Sequence, residues 1–273
     1  MKNYARIISK LFYEPAIITP AHHGALCQLL DHRLGTVAPA KAMEDDDGDS
    51  GGSCREPAIY GRVAVVPVHG VLVAHPEDIA MSECGCDMET LGRTVDALEQ
   101  NPAVTTVVYD FRTPGGSVTK VPEVGRKICA SRKNTIAFTD SECCSGGIWL
   151  AAQCKRFFGT QSAHIGSVGV YIMCLDASKA MEKEGVKMNP VFAGKYKLLG
   201  AYWREMPDDE RAILQARVQK IYGQFKEAME SHRIVSDRNF GNGLVFDGEE
   251  AAEIGFTDGV VDSLEDVLDN LID

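Results

Sequence analysis

Residues 104–117 read VTTVVYDFRTPGGS, and the two halves of that stretch decide the fold class. The first half is a β-branched and aromatic run with no helical period, which reads as a buried strand. The second half, Thr113-Pro114-Gly115-Gly116-Ser117, closes the strand with a proline and two glycines. Glycine accepts positive φ and lets neighbouring backbone N–H groups approach a ligand closely, which is what an oxyanion hole requires. A proline–glycine turn is by itself a common loop, so its meaning rests on its surroundings.

Upstream, residues 62–73 (RVAVVPVHGVLV) form a second strand-like run, and residues 88–99 carry Leu91, Val95 and Leu98 at helical spacing. Downstream come a helical stretch at 122–131, a strand at 135–139 and an apolar helix at 145–154. Strands that alternate with helices predict right-handed crossovers and an α/β fold with a mostly parallel, buried sheet. The strongest helix pattern begins at Pro207, with Asp208, Asp209 and Glu210 in its first turn. Its apolar stripe is Leu214, Val218, Ile221, Tyr222, Phe225 and Met229. Short helices at 248–254 and 263–272 complete the chain.

Before the body lies a different kind of sequence. Residues 1–40 form an N-terminal arm with a helix at 21–34, whose Leu26, Leu29, Leu30 and Leu34 require a partner surface. Residues 41–59 include KAMEDDDGDSGGS, an acidic linker that is flexible by composition. The main domain is expected over residues 60–273.

The composition excludes several functions. The 273 residues carry 28 Lys and Arg against 39 Asp and Glu, a net charge of −11, so a broad basic surface for nucleic acid is not expected. The longest apolar run, 168–175, is too short for a bilayer, and residues 1–20 lack an export-type apolar core, so no membrane anchor is expected. Nine cysteines are an odd count, and neither the Cys84/Cys86 pair nor the Cys143/Cys144 pair has zinc-ligand spacing. Free thiols, no metal and no organic cofactor are the expectation.

The residues that could carry chemistry fall into three groups. Gly115 and Gly116 form the first. The second is Ser141-Glu142-Cys143-Cys144-Ser145-Gly146-Gly147, directly before IWLAAQC. A serine there can simply cap the helix; as a nucleophile, Ser145 would stand at a strand-to-helix turn with the Gly146 N–H facing an incoming carbonyl. The third is Gly194-Lys195-Tyr196-Lys197. His22, His23 and His32 lie in the arm, His69 and His75 near the first strand and His232 at a helix end, and His164 stands alone near the middle, so a desolvated neutral lysine is the better candidate for a base. A cysteine nucleophile at 143 or 144 is a minor alternative, since neither precedes the Gly-Gly pair.

The order DFRTPGGSV, SECCSGGIWLAA, FFGTQSAHIGSVGV, FAGKYKLLGAYWREMPDDER and LVFDGEEAAEIGFTDGVVD resembles the signal peptide peptidase A (SppA) family of serine proteases. The resemblance covers roughly residues 60–265. It implies a ClpP/crotonase-like fold of repeated ββα units and a Ser-Lys dyad. In it Ser145 is the nucleophile, and Lys197 is the base because it lies seven residues before Arg204-Glu205-Met206. Lys195 is the runner-up. Gly146 and one of Gly115 and Gly116 would donate to the oxyanion. In related SppA enzymes the two dyad residues can come from neighbouring protomers, so a homo-oligomer is expected. The arm sequence FYEPAIITP is similar to the head-maturation proteases of lambda-like tailed phages. That similarity implies polypeptide substrates among phage coat, scaffold or portal proteins, in the host cytoplasm and inside the procapsid. The other readings are a non-catalytic assembly component, a cellular SppA-like peptidase that degrades signal peptides, and a crotonase-like acyl-CoA enzyme.

Overall fold

In the computed structural model, which describes residues 13–34, 56–75, 85–235 and 240–272, the run 104–117 lies at the centre. In chain order the elements are β1 (Ala16–Ile18), α1 (Pro20–Leu34), β2 (Ala58–Tyr60), β3 (Val63–His69), β4 (Val71–Val73), β5 (Gly85–Asp87) and α2 (Met88–Gln100). They continue with β6 (Thr106–Arg112), β7 (Gly115–Ser117), α3 (Val121–Cys129), β8 (Asn134–Thr139), β9 (Glu142–Cys144) and α4 (Gly146–Ala151). The last are β10 (Arg156–Gly159), β11 (His164–Gly166), α5 (Ser178–Lys183), α6 (Asp208–Glu230), β12 (Val245–Phe246), α7 (Gly248–Glu253), β13 (Gly259–Val260) and α8 (Leu264–Ile272).

The main sheet runs β13-β10-β8-β6-β3-β2, parallel throughout except for the antiparallel edge strand β2. Every residue of β6 but Arg112 is buried, as expected for a strand covered on both faces. On one face α2, α3 and α4 deliver Leu91, Val95, Val124, Ile128, Ile148 and Leu150 to the principal core. On the other, α8 covers Val63, Val65, Val108, Ile136 and Phe138 with Val267 and Leu268.

The expected repeat of ββα units is present. β3, β6 and β8 each turn out of the main sheet into a short strand of a second layer, β4, β7 and β9, and a helix follows. The second layer comprises one sheet ordered β1-β7-β4-β5 and another ordered β12-β11-β9. The helix starts are locally encoded: Asp87 accepts from the Thr90 N–H at 2.7 Å to cap α2, and Asp247 with Glu250 forms a capping box on α7.

Three expectations need comment. The stripe on α6 is only partly used: Leu214, Phe225 and Met229 are buried, whereas Val218, Ile221 and Tyr222 are half-exposed. Val218 and Tyr222 face a cavity of about 780 Å³ rather than packed side chains, and Ile221 lies at the edge of the core. The arm contributes more than a helix, because its β1 pairs with β7 and Ile17 joins the principal core. Most of the acidic linker, together with the side chains of Leu29, Leu30 and Leu34, lies outside the described residues.

The C-terminal half of α6 is anchored by Phe225, fully buried and stacked on Trp149 of α4 at 4.7 Å between ring centroids. Phe225→Ala removes that ring from a closed core, and we expect a loss of about 3–5 kcal/mol. The check is the urea unfolding midpoint at an unchanged m-value.

Candidate active site

Ser145 occupies the junction between β9 and α4, where the chain must reverse direction within one residue. Its backbone adopts φ 53 and ψ −112, a region that a residue with a β-carbon enters only when its surroundings force it. Those surroundings can be named. The Ser145 N–H donates to the Gly166 carbonyl at 2.8 Å, and the Ser145 carbonyl accepts from the Trp149 N–H at 3.1 Å as the first bond of α4. On the other side, the Thr113 N–H donates to the Glu142 carbonyl at 2.8 Å, and the Cys144 N–H donates to the Thr113 carbonyl at 3.0 Å. Ser145 is 1% exposed and its hydroxyl does not cap the helix.

Thr113 also organises the glycine turn. Its hydroxyl donates to the Gly70 carbonyl at 2.6 Å and accepts from the Gly115 N–H at 3.1 Å. Gly115 has φ +95, which favours glycine on its own account. Space makes the same demand. A β-carbon on Gly115 would lie 2.1 Å from the Ile17 carbonyl oxygen, and 2.9 Å from both the Gly146 nitrogen and the Ser145 β-carbon. One on Gly116 would lie 2.0 Å from the Leu72 carbonyl oxygen.

The structure therefore brings Gly115, Ser145 and Gly146 into direct contact, although Gly115 and Ser145 are thirty residues apart in sequence. It also distinguishes the two turn glycines: the Gly115 N–H is spent on Thr113, while Gly116 lies in the ladder of β7 with β1. The Thr19 N–H donates to the Pro114 carbonyl at 3.0 Å. Antiparallel rungs recur every second residue, so the next one pairs Ile17 with Gly116.

The lysines are placed differently. Lys197 lies in an exposed stretch of turns, and among the described residues no hydrogen bond or ion pair joins its ammonium to Ser145 or to any carboxylate. Lys195 is committed elsewhere: its ammonium is 2.9 Å from Asp209, and hydrogen bonding to Tyr196 and Asp209 raises its pKa. A lysine held protonated in this way is a poor general base.

The neighbouring thiols are held in their neutral form. Burial raises the Cys143 pKa well above its usual value and pushes Cys144 up to about 12. Neither therefore supplies a thiolate near neutral pH. The feature that sequence reading missed is β1, three apolar residues between Pro15 and Pro20, which carry no strand signal of their own. Among the described residues no cluster of His, Cys, Asp and Glu could hold a metal ion, and no helix is long and apolar enough to cross a membrane.

A model of peptidase family S49 matches residues 127–271. The capsid assembly protease C of Escherichia phage lambda is 26% identical, with 97% of this chain and 65% of that protein covered. The head-tail preconnector protein GP5 of Enterobacteria phage P21 is 24% identical, with 96% of this chain and 56% of that protein covered. The chain thus spans less than two thirds of the length of these relatives. Among solved structures, an enoyl-CoA hydratase/isomerase family member matches with a TM-score of 0.47 and 17% identity, covering 81% of this chain and 74% of that one. A mutant of a membrane-bound stomatin-specific protease matches with a TM-score of 0.46 and 15% identity, covering 78% and 85%.

Two outcomes are expected from this geometry. Thr113→Val leaves the Gly115 N–H without its acceptor and should cost about 1–3 kcal/mol in chemical denaturation, whereas Thr113→Ser keeps both hydroxyl bonds and recovers most of the loss. In maleimide labelling of the folded protein at pH 7, read by mass spectrometry, Cys143, Cys144 and Cys154 should stay unmodified while exposed Cys129 reacts.

Proposed function

The chain belongs to peptidase family S49, and on that premise we propose that it is a serine endopeptidase with a Ser145–Lys197 dyad that processes phage procapsid proteins. The observation that carries the reading is the strained Ser145 set beside Gly115 and the Gly146 N–H. A capping serine needs no such backbone strain, and its hydroxyl would accept from an N–H of the first helical turn, which the Ser145 hydroxyl does not do.

In this mechanism neutral Lys197 accepts the Ser145 hydroxyl proton as Oγ attacks the carbonyl carbon of the substrate. The N–H groups of Gly146 and Gly116 donate to the oxyanion that forms; Gly116 is preferred because the Gly115 N–H is held by Thr113 within the turn, whereas the Gly116 N–H faces the edge along which β1 lies. As the tetrahedral intermediate collapses, the carbon–nitrogen bond breaks and the lysine ammonium returns its proton to the leaving amine. Water then attacks the acyl-serine ester and gives one proton to the lysine, and collapse releases the carboxylate and restores the Ser145 hydroxyl. α4 is only six residues long, so its contribution is the Gly146 N–H rather than a long helix dipole.

A lysine serves as a base only where water is excluded from its amine. Lys197 is exposed, and the same loop region exposes Val191, Phe192 and Tyr196. That apolar surface supports a homo-oligomer in which a second copy covers the loop, dries the amine and completes the dyad. The similarity to capsid assembly protease C of phage lambda supports coat, scaffold or portal proteins as substrates, cleaved inside the procapsid in the host cytoplasm. No step in this scheme calls for a metal or an organic cofactor.

Ser145→Ala and Lys197→Ala should each reduce cleavage of procapsid proteins by at least about 1,000-fold, while Lys195→Ala retains most of it. The assay follows fragments of coat, scaffold and portal proteins by mass spectrometry during assembly. Normal cleavage by Ser145→Ala would overturn the assignment.

A further inference from the structure

The arm crosses the candidate active site as an extended strand. β1 pairs antiparallel with β7, with Ala16 opposite Ser117, Ile17 opposite Gly116 and Ile18 opposite Gly115. On its other edge Ala16 exchanges both backbone bonds with Tyr171, its N–H donating at 2.9 Å and its carbonyl accepting at 3.2 Å. Residues 16–18 are thus held by main-chain hydrogen bonds from both sides, as an added strand is held in β-augmentation. Further along the arm, the Tyr13 ring lies beside Gly200, where a β-carbon would stand 3.6 Å away, at the end of the loop that carries Lys197.

The placement of Ile17 gives this strand a specific meaning. The Ile17 carbonyl oxygen, the Ser145 β-carbon and the Gly146 nitrogen converge on one atom-sized space beside Gly115. The Ile17–Gly116 rung directs the Gly116 N–H to the same oxygen. The carbonyl of Ile17 therefore stands where the carbonyl of a bound polypeptide would meet the nucleophile and both proposed oxyanion donors. The Ile17 side chain is fully buried beside Leu72: a β-carbon on Gly146 would touch Ile17 Cδ1 at 3.0 Å and Leu72 Cδ1 at 2.9 Å. With the strand in place, Ser145 is covered.

We infer that residues 16–18 fill the peptide-binding groove of this chain, with Ile17 in the place of the residue whose carbonyl is attacked. The groove between β7 and Tyr171 binds an extended polypeptide with an aliphatic residue beside Leu72 and Gly146. A substrate must displace the arm before it meets Ser145. This rests on the reading of Ser145 as nucleophile, but the binding claim is testable without activity.

The test uses the full chain with Ile17→Asp, which puts a charge into the apolar pocket, and separately with Ala16→Pro, which removes the N–H bonded to Tyr171. Each variant is made in the active form and with Ser145→Ala. The probe is a fluorescent peptide of residues 13–22 (YEPAIITPAH), read by polarisation, beside the same peptide with aspartate at the Ile17 place. We expect both variants to bind the first peptide at least about tenfold more tightly than the unaltered chain, and the second peptide to bind to none. Cleavage of an unfolded polypeptide should rise by a similar factor only in forms that keep Ser145. Should a variant fail to fold, hydrogen exchange on the unaltered chain replaces it: excess peptide should expose the Ala16–Ile18 amides while Gly116 stays protected. Equal peptide binding by the unaltered chain and both folded variants, or no exchange response, overturns the inference even if Ser145-dependent cleavage persists. Tighter binding without cleavage in any form, during procapsid assembly as well as in the free chain, upholds the groove and sinks the protease reading instead.

Discussion

The close approach of backbone to backbone at Gly115 and Gly116 is the constraint on which the rest of the site depends. β7 is threaded between β1 and β4 and pressed against the start of α4, so closely that a single β-carbon would collide with main-chain oxygens at 2.1 Å and 2.0 Å. Only glycine fits there. The positive φ of Gly115 and the Thr113 hydroxyl bonds set the course of the turn, and that course leaves the Ser145 β-carbon and the Gly146 nitrogen facing it. The strain in Ser145 is held by bonds from β11 and from Thr113, so two separate ββα units must both be folded before the serine takes its shape.

That dependence explains how the parts divide their labour. The main sheet and its helices form a frame, while the candidate residues Gly115, Gly116 and Ser145 sit on or beside the short strands that leave it. The proposed groove beside Ser145 is edged by backbone, which would suit an extended polypeptide of varied sequence: hydrogen bonds would grip the main chain, and one apolar pocket would supply selectivity. The loop with Lys197 is the opposite case, exposed and rich in apolar side chains, and in the proposed scheme it would gain a role only when a second copy covers it. A peptidase proposed to act within an assembling shell has reason to be incomplete alone. The arm at Ser145 and the uncovered lysine loop would both restrain cleavage outside the assembly.

Much of the fold was legible because the signals are local. The β-branched run of β6, the helical periods of α2 and α3, and the acidic first turn of α6 place those elements within a residue or two of where they form. Ser145, Gly146 and the turn glycines stood out as candidates for a similar reason: a glycine pair after a buried strand and a serine before a helix are short motifs with physical content. The partial use of the α6 stripe was not legible, since periodicity records which residues could be buried and not what they meet. Val218 and Tyr222 carry the right pattern and face a cavity, while Ile221 packs only partly buried against the core.

By itself the sequence determined the α/β alternation, the absence of zinc-ligand cysteine spacing, the resemblance to SppA-type proteases and the candidate residues Ser145, Gly115, Gly116 and Lys197. Each of these is written in neighbouring residues or in ordered motifs. Only the tertiary structure decided that the Gly115 N–H is occupied by Thr113, that Lys195 is paired with Asp209, and that Ala16–Ile18 is a strand at all. Those facts depend on contacts between residues distant in the chain: the strand at 16–18 exists because β7 and Tyr171 offer it partners on both edges, and no local propensity could have announced them.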